Sequence, residues 1–179
     1  MQAFVALLRG INVGGNNILP MQKFRDLLTE LGCTDVATYI QSGNAVFRHS
    51  DTALQLSAVI ADSIESGFGF RPAVMVFAAK EFADIAAANP YSSEAEELKQ
   101  VHITFLGSPA SNANLSRMRE LASDSETFTL EDSAYYMHAP LGIGRSKLAA
   151  AVDKCLGVAT TSRNARTVEK VCELLDRLA

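Results

Sequence analysis

Tryptophan is absent from the chain, so phenylalanine and tyrosine supply all the aromatic surface. Cysteine is scarce and odd in number: Cys33, Cys155 and Cys172 are widely spaced. None forms a CxxC pair, and no histidine lies at zinc-ligand spacing from them, which argues against a zinc finger or a disulfide scaffold. They read as reduced, structural thiols, and no metal site is expected. Proline occurs only 5 times, and charged residues make up 20% against 48% hydrophobic, which excludes wholesale disorder. Long apolar runs are missing as well. The longest near the N-terminus, Ala3–Leu8, is too short for a signal-peptide core and far too short for a membrane span. A cytoplasmic protein with no membrane partner is the expectation. Excess base is also lacking: 16 Lys and Arg against 20 Asp and Glu leave a net charge of −4. A general nucleic-acid coat or a polybasic membrane binder is excluded on that ground.

What is present is enough core for one domain or two small subdomains in 179 residues. Ala3–Leu8 (AFVALL) does not alternate with polar residues and reads as a strand buried on both faces. Arg9–Pro20 is polar and glycine-rich. Met21, Phe24, Leu27, Leu28 and Leu31 then fall at helical spacing, and Gly32 ends that helix. Val36–Ile40 and Ala45–Arg48 read as a strand pair around the turn Gln41–Asn44. Asp51 is the expected N-cap of a helix running to about Ser66, and Ala73–Phe77 is a further strand. Lys80–Ala88 is a connecting helix. Tyr91–Gln100, polar and acidic, is the expected boundary.

The order then recurs: strand Val101–Leu106, helix Ser111–Ala122, strands Glu126–Leu130 and Ala134–His138, helix Ser146–Leu156, strand Val158–Thr161 and a last helix Thr167–Leu178. Asn44–His49 matches Ser133–His138 in pattern at an offset of 89, and Gly69-Phe70 matches Gly157-Val158 at 88. The expectation is an α+β chain: a tandem duplication of ferredoxin-like βαββαβ units, residues 1–90 and 91–179, with a C-terminal helix in the second.

That topology places the candidate sites. In such a unit the first two strands end at one sheet edge and the last two at the other. In the first repeat, Arg9, Asn12, Gly14 and Gly15 therefore meet Gln41, Ser42 and Asn44. Two readings stand side by side here. Either Arg9 and the Gly-Gly pair receive a ligand, or the loops hydrogen-bond to each other. In the second repeat, Gly142, Gly144, Arg145, Ser146 and Lys147 precede a helix, and Thr160–Arg166, with Arg163 and Asn164, lie at the same edge. Two glycines that turn N–H groups inward, a capping serine and nearby bases suit an oxyanion. The GxxxxGK[ST] spacing of a Walker loop is absent. The plainer alternative is a glycine turn, a helix cap and solvated bases.

Charge distribution adds to the interest. Gly142–Lys170 carries six bases against two acids, and Met1–Arg25 three bases against none. Glu94–Asp132 carries eight acids against three bases. His49 and His138 occupy equivalent strand ends and read as structural. No Ser/His/Asp or Cys/His arrangement can be assembled from spacing, so Ser42 and Ser146 read as hydrogen-bonding groups rather than nucleophiles.

Four segments, LLRGINVGG (Leu7–Gly15), TYIQSGNAVF (Thr38–Phe47), GIGRSKL (Gly142–Leu148) and TTSRNARTV (Thr160–Val168), resemble the bacterial domain-of-unknown-function family numbered 1697. The resemblance implies two ferredoxin-like α+β subdomains and no particular reaction or cofactor. Among the positions that carry it are Gly10, Gly43 and Thr167 besides the candidates above. The chain departs from the family pattern at Ala165, where a Trp usually follows the Arg-Asn pair, and at Leu141, where an acid is common. A Trp that stacks on a ligand would be missed in binding; a Trp that packs would have to be replaced by a neighbour.

Three functions fit these readings. The first is binding of an anionic small molecule or nucleotide, with phosphate or carboxylate at the Gly/Arg/Lys loops. The second is a structural or protein-partner module. The third, RNA or DNA binding, is disfavoured by the acidic balance and the two-sided burial of the first strand, although Tyr135-Tyr136 leave it some room.

Overall fold

The computed structural model describes residues 1–92 and 97–178. The chain's internal contacts separate it into two units: Met1–Asp84 with the chain from Glu169 on, and Ile85–Val168. Beside the sequence-based division at 90/91, this one falls earlier, and the last turns of the C-terminal helix join the first unit. Part of the boundary stretch Tyr91–Gln100, residues 93–96, lies outside the described residues.

The first unit runs β1 (Gln2–Arg9), α1 (Met21–Glu30), β2 (Thr34–Tyr39), β3 (Asn44–His49), α2 (Ala53–Phe68) and β4 (Ala73–Ala78). Its four strands form one antiparallel sheet in the order β2-β3-β1-β4. After α3 (Ala79–Ala87), the second unit repeats the pattern with β5 (Val101–Leu106), α4 (Leu115–Leu121), β6 (Thr127–Leu130), β7 (Ala134–His138), α5 (Lys147–Leu156) and β8 (Thr160–Asn164). Its sheet is also antiparallel, ordered β6-β7-β5-β8, so each strand takes the place of its counterpart four earlier. Helix α6 (Ala165–Asp176) follows. The architecture is α+β, two similar subdomains each built as βαββαβ. No described helix is long and apolar enough to cross a membrane.

Each core follows from strand alternation. Phe4, Ala6 and Leu8 point to the same face as Phe47 and Ala45, where Phe24 and Leu28 of α1 and Leu56, Ile60 and Ile64 of α2 cover them. Val5 and Leu7, on the opposite face, are wholly buried too, as expected for a strand apolar throughout. In the second unit Leu106, Tyr135 and Met137 pack against Met118 of α4 and Leu148, Val152 and Leu156 of α5. Each of the buried Phe, Leu, Ile, Val and Met side chains contributes roughly 1.5–3 kcal/mol by leaving water.

Four local expectations are corrected. The cap of α2 is Thr52, not Asp51: Thr52 accepts from the Gln55 N–H at 3.3 Å and Gln55 Oε1 accepts from the Thr52 N–H at 3.1 Å. The Asp51 N–H is directed to His49 Nδ1 at 3.0 Å. Helix α4 starts only after Asn114, whose Oδ1 caps it through the Arg117 N–H at 3.0 Å. Helix α6 begins at Ala165, because Asn164 caps it by accepting from the Thr167 N–H at 2.8 Å. The last strand is also displaced. It runs Thr160–Asn164 rather than Val158–Thr161, so that Ser162–Asn164 are strand and not loop, and β8 pairs residue for residue with β5 from Leu106↔Thr160 to His102↔Asn164.

Candidate functional site

At the first unit's edge the two loops do meet. Beyond Arg9, Val13–Asn16 makes a tight hairpin closed by the Asn16 N–H on the Val13 carbonyl at 3.0 Å. Its central residues, Gly14 and Gly15, have φ of 57° and 79°, the left-handed pair such a turn requires. Asn12 holds the base of the loop. Its Nδ2 donates to the carbonyls of Leu19 at 2.9 Å and Gln41 at 2.8 Å, and its Oδ1 accepts from the Leu19 N–H at 2.8 Å. Across the edge, Asn44 is wholly buried and donates to the Tyr39 carbonyl and to Ser42 Oγ, both at 3.0 Å. Gly43 sits at φ 76° with its carbonyl on the Leu8 N–H at 2.8 Å. Asn12 thus joins the two loops and Asn44 braces its own turn, the network reading. Arg9, Gly14, Gly15 and Gln41 remain exposed around them. Ile40, half exposed, adopts φ 49°, rare for a β-branched side chain.

At the second unit's edge the segment after β7 turns twice, with the Gly142 N–H on the Ala139 carbonyl at 2.8 Å and the Ser146 N–H on the Ile143 carbonyl at 3.1 Å. Ser146 then caps α5, its Oγ accepting from the Ala149 N–H at 2.9 Å. Gly142, Gly144, Arg145, Ser146 and Lys147 line one wall of an open cavity of about 760 Å³. The other wall is the C-terminal end of α4, Glu120–Ser123, with Glu126. Arg145 and Lys147 are exposed and make no salt bridge with any described residue. Glu126 Oε2 accepts from the Ser123 N–H at 2.9 Å, and Glu120 pairs with Arg117 at 2.9 Å. The sequence reading did not single out Glu120 and Glu126. Their one trace there is the acidic zone from Glu94 to Asp132.

Arg163 and Asn164 do not line this cavity. Because β8 is a pleated strand, Arg163 shares a face with Thr161, Ile103 and Tyr136, while Tyr135 and Met137, which face α5, lie on the other. Arg163 donates to Thr161 Oγ1 at 3.0 Å and to the Ser162 carbonyl at 2.8 Å. Burial lowers its pKa to about 10, which leaves it cationic at neutral pH. Asn164 is engaged as the α6 cap. Ala165, where the family pattern has Trp, is buried at the start of α6.

The remaining titratable groups do not build a reaction centre. His49 Nδ1 accepts from Asp51, which leaves Nε2 to donate to the Leu31 carbonyl at 3.1 Å. Burial lowers the His102 pKa. His138 Nε2 is buried without a partner among the described residues, beside the Tyr91 ring. The Tyr135 hydroxyl is likewise unpartnered; burial, and then the Glu126 charge, raise its pKa. No three described His, Cys, Asp or Glu residues cluster as metal ligands.

The family described as Protein of unknown function (DUF1697) matches residues 1–136, three quarters of the chain. The chain belongs to that family. The matched part of the DUF1697 pattern carries the Leu7–Gly15 and Thr38–Phe47 motifs but ends before Gly142. Among solved structures, a conserved bacterial protein, SP0830 from Streptococcus pneumoniae, is similar in fold. It has a TM-score of 0.69 and 22% identity over 97% of this chain and 98% of that one. No curated protein matches the chain.

Proposed function

We propose that the second unit binds an anionic small molecule, bearing phosphate or carboxylate, at Arg145, Lys147 and the start of α5. The observation that carries this reading is the cavity itself. Two bases with no acidic partner among the described residues stand on its wall where a helix begins. Free N–H groups and a partial positive charge gather at that end of a helix, and Ser146 satisfies only one of them. The cavity lies within the roughly 300–1,000 Å³ range of organic-ligand pockets. Arg163 and Asn164 are left out of the site for the reasons of pleat and capping given above. Stacking recognition of RNA or DNA has little to draw on, since Tyr135 and Tyr136 are buried.

The experiment is a thermal-shift screen with phosphate and a nucleotide library on the wild type and on Arg145→Ala/Lys147→Ala. Charge-assisted contacts are worth roughly 1.5–3 kcal/mol each. The double variant should therefore bind an anionic ligand roughly two to four powers of ten more weakly, at about 1.4 kcal/mol per tenfold. A wild type that no anion shifts, or a variant that responds equally, refutes the reading.

A further inference from the structure

The two walls of the second-unit cavity carry opposite charge. Arg145 and Lys147 stand on one; Glu120, Glu126 and the end of α4 form the other. The last carbonyls of a helix have no partner within it and carry partial negative charge. A ligand that is anionic throughout, and large enough to fill about 760 Å³, would meet the acidic Glu120 and Glu126 beside that helix end. The acidic wall is also not neutralised. Glu120 is paired with Arg117, but Glu126 has no basic partner among the described residues, and its one bond, to the Ser123 N–H, fixes the carboxylate without cancelling its charge.

We propose that the ligand of this cavity is a zwitterion, its oxyanion at Arg145 and Lys147 and its amine at Glu126 and Glu120. The inference rests on the anion-binding reading above and adds the second pole. The shared chemistry is an ammonium group separated from an oxyanion by a short chain. The oxyanion is either a phosphate monoester or a carboxylate, and matched probes separate these two sources.

The test is calorimetric titration of the full chain with phosphoethanolamine against ethyl phosphate, and with β-alanine against propionate. The partners of each pair differ chiefly in the amine. In the wild type one aminated probe should bind about tenfold or more tightly than its amine-free partner, the worth of one charge-assisted contact. Which pair shows the preference identifies the oxyanion. Glu126→Gln should abolish the preference without weakening the amine-free probe, because the amide oxygen still accepts from Ser123. If that variant fails to fold, Glu120→Gln, whose carboxylate pairs with the exposed Arg117, carries the same comparison with a smaller loss. Equal affinity within both pairs, or a preference that survives Glu126→Gln together with Glu120→Gln, overturns the zwitterion. If ethyl phosphate or propionate still binds the wild type and is lost in Arg145→Ala/Lys147→Ala, the anion reading stands without it. If no probe binds the wild type, both readings fall.

Discussion

Replacing Gly43 by alanine tests the account of the first unit's edge most directly. Two costs are written into its position. At φ 76° an L side chain is in the left-handed region, a penalty of roughly 1–2 kcal/mol. An added Cβ would also lie 2.6 Å from Leu8 Cβ and 2.9 Å from Ile11 Cδ1. Leu8 belongs to the central strand and is wholly surrounded, so its Cβ moves only if β1 moves. Overpacking of this kind costs typically about 1–3 kcal/mol. The sum is about 2–5 kcal/mol, a large part of the roughly 5–15 kcal/mol that holds most domains folded. For a chain of this length each kcal/mol moves the melting temperature by roughly 2–4 °C. Differential scanning calorimetry should therefore show the chain's melting transition lowered by about 4–20 °C. Gly67→Ala is the matched control: it lies in α2 with nothing within 4 Å of its Cβ, and should stabilise by roughly 0.5–1 kcal/mol. A Gly43→Ala protein that melts with the wild type, or a Gly67→Ala protein that loses as much, would refute the reasoning.

Asn12→Ala removes three hydrogen bonds that join the Gly10–Pro20 loop to itself and to the Gln41 turn. It should cost about 1–3 kcal/mol and make that loop the first site of limited proteolysis, read by mass spectrometry. Asn164→Ala should cost about 1 kcal/mol through loss of the α6 cap and leave anion binding at Arg145 and Lys147 unchanged in a titration. Burial, and then the Asp51 charge, push the Cys33 thiol up from 9.0 to about 11. It should stay unalkylated by iodoacetamide at pH 8 in the folded chain. Because the unfolded thiol ionises first, its contribution to stability is complete below pH 9 and declines as pH rises towards 11, in urea titrations.

The repeat was legible in the sequence because both βαββαβ orders rest on apolar runs and helical stripes, and these report burial directly. Ala3–Leu8 and Val101–Leu106 both read as strands, and each lies inside its sheet as β1 and β5. The convergence of the Arg9 and Gln41 loops followed from the same topology. Thr160–Asn164 was legible only in its first two residues, as the end of a strand Val158–Thr161, for a physical reason. It is an edge strand made of Thr, Ser, Arg and Asn, so no apolar alternation marks it, and its identity lies in backbone pairing with β5. Misplacing that strand misplaced Arg163, since the pleat decides which face a residue takes. The cavity's acidic wall was hidden similarly: Glu120 and Glu126 approach Arg145 and Lys147 only through the packing of α4 against α5.

The division of the chain within α6 has a consequence for how the protein emerges from a ribosome. The second unit is one uninterrupted stretch, Ile85–Val168, and all of it is synthesised before the first unit's final segment exists. The first unit is discontinuous. Its opening 84 residues must wait for the chain from Glu169 on, and Arg48 on β3 reaches the Leu178 carbonyl across 130 positions. Contacts so distant in sequence form late, because the intervening chain must be ordered or looped before they close. The half made first is therefore the half completed last. A nascent chain arrested just short of Glu169 would hold a finished second unit and a first unit still lacking its closing helical turns.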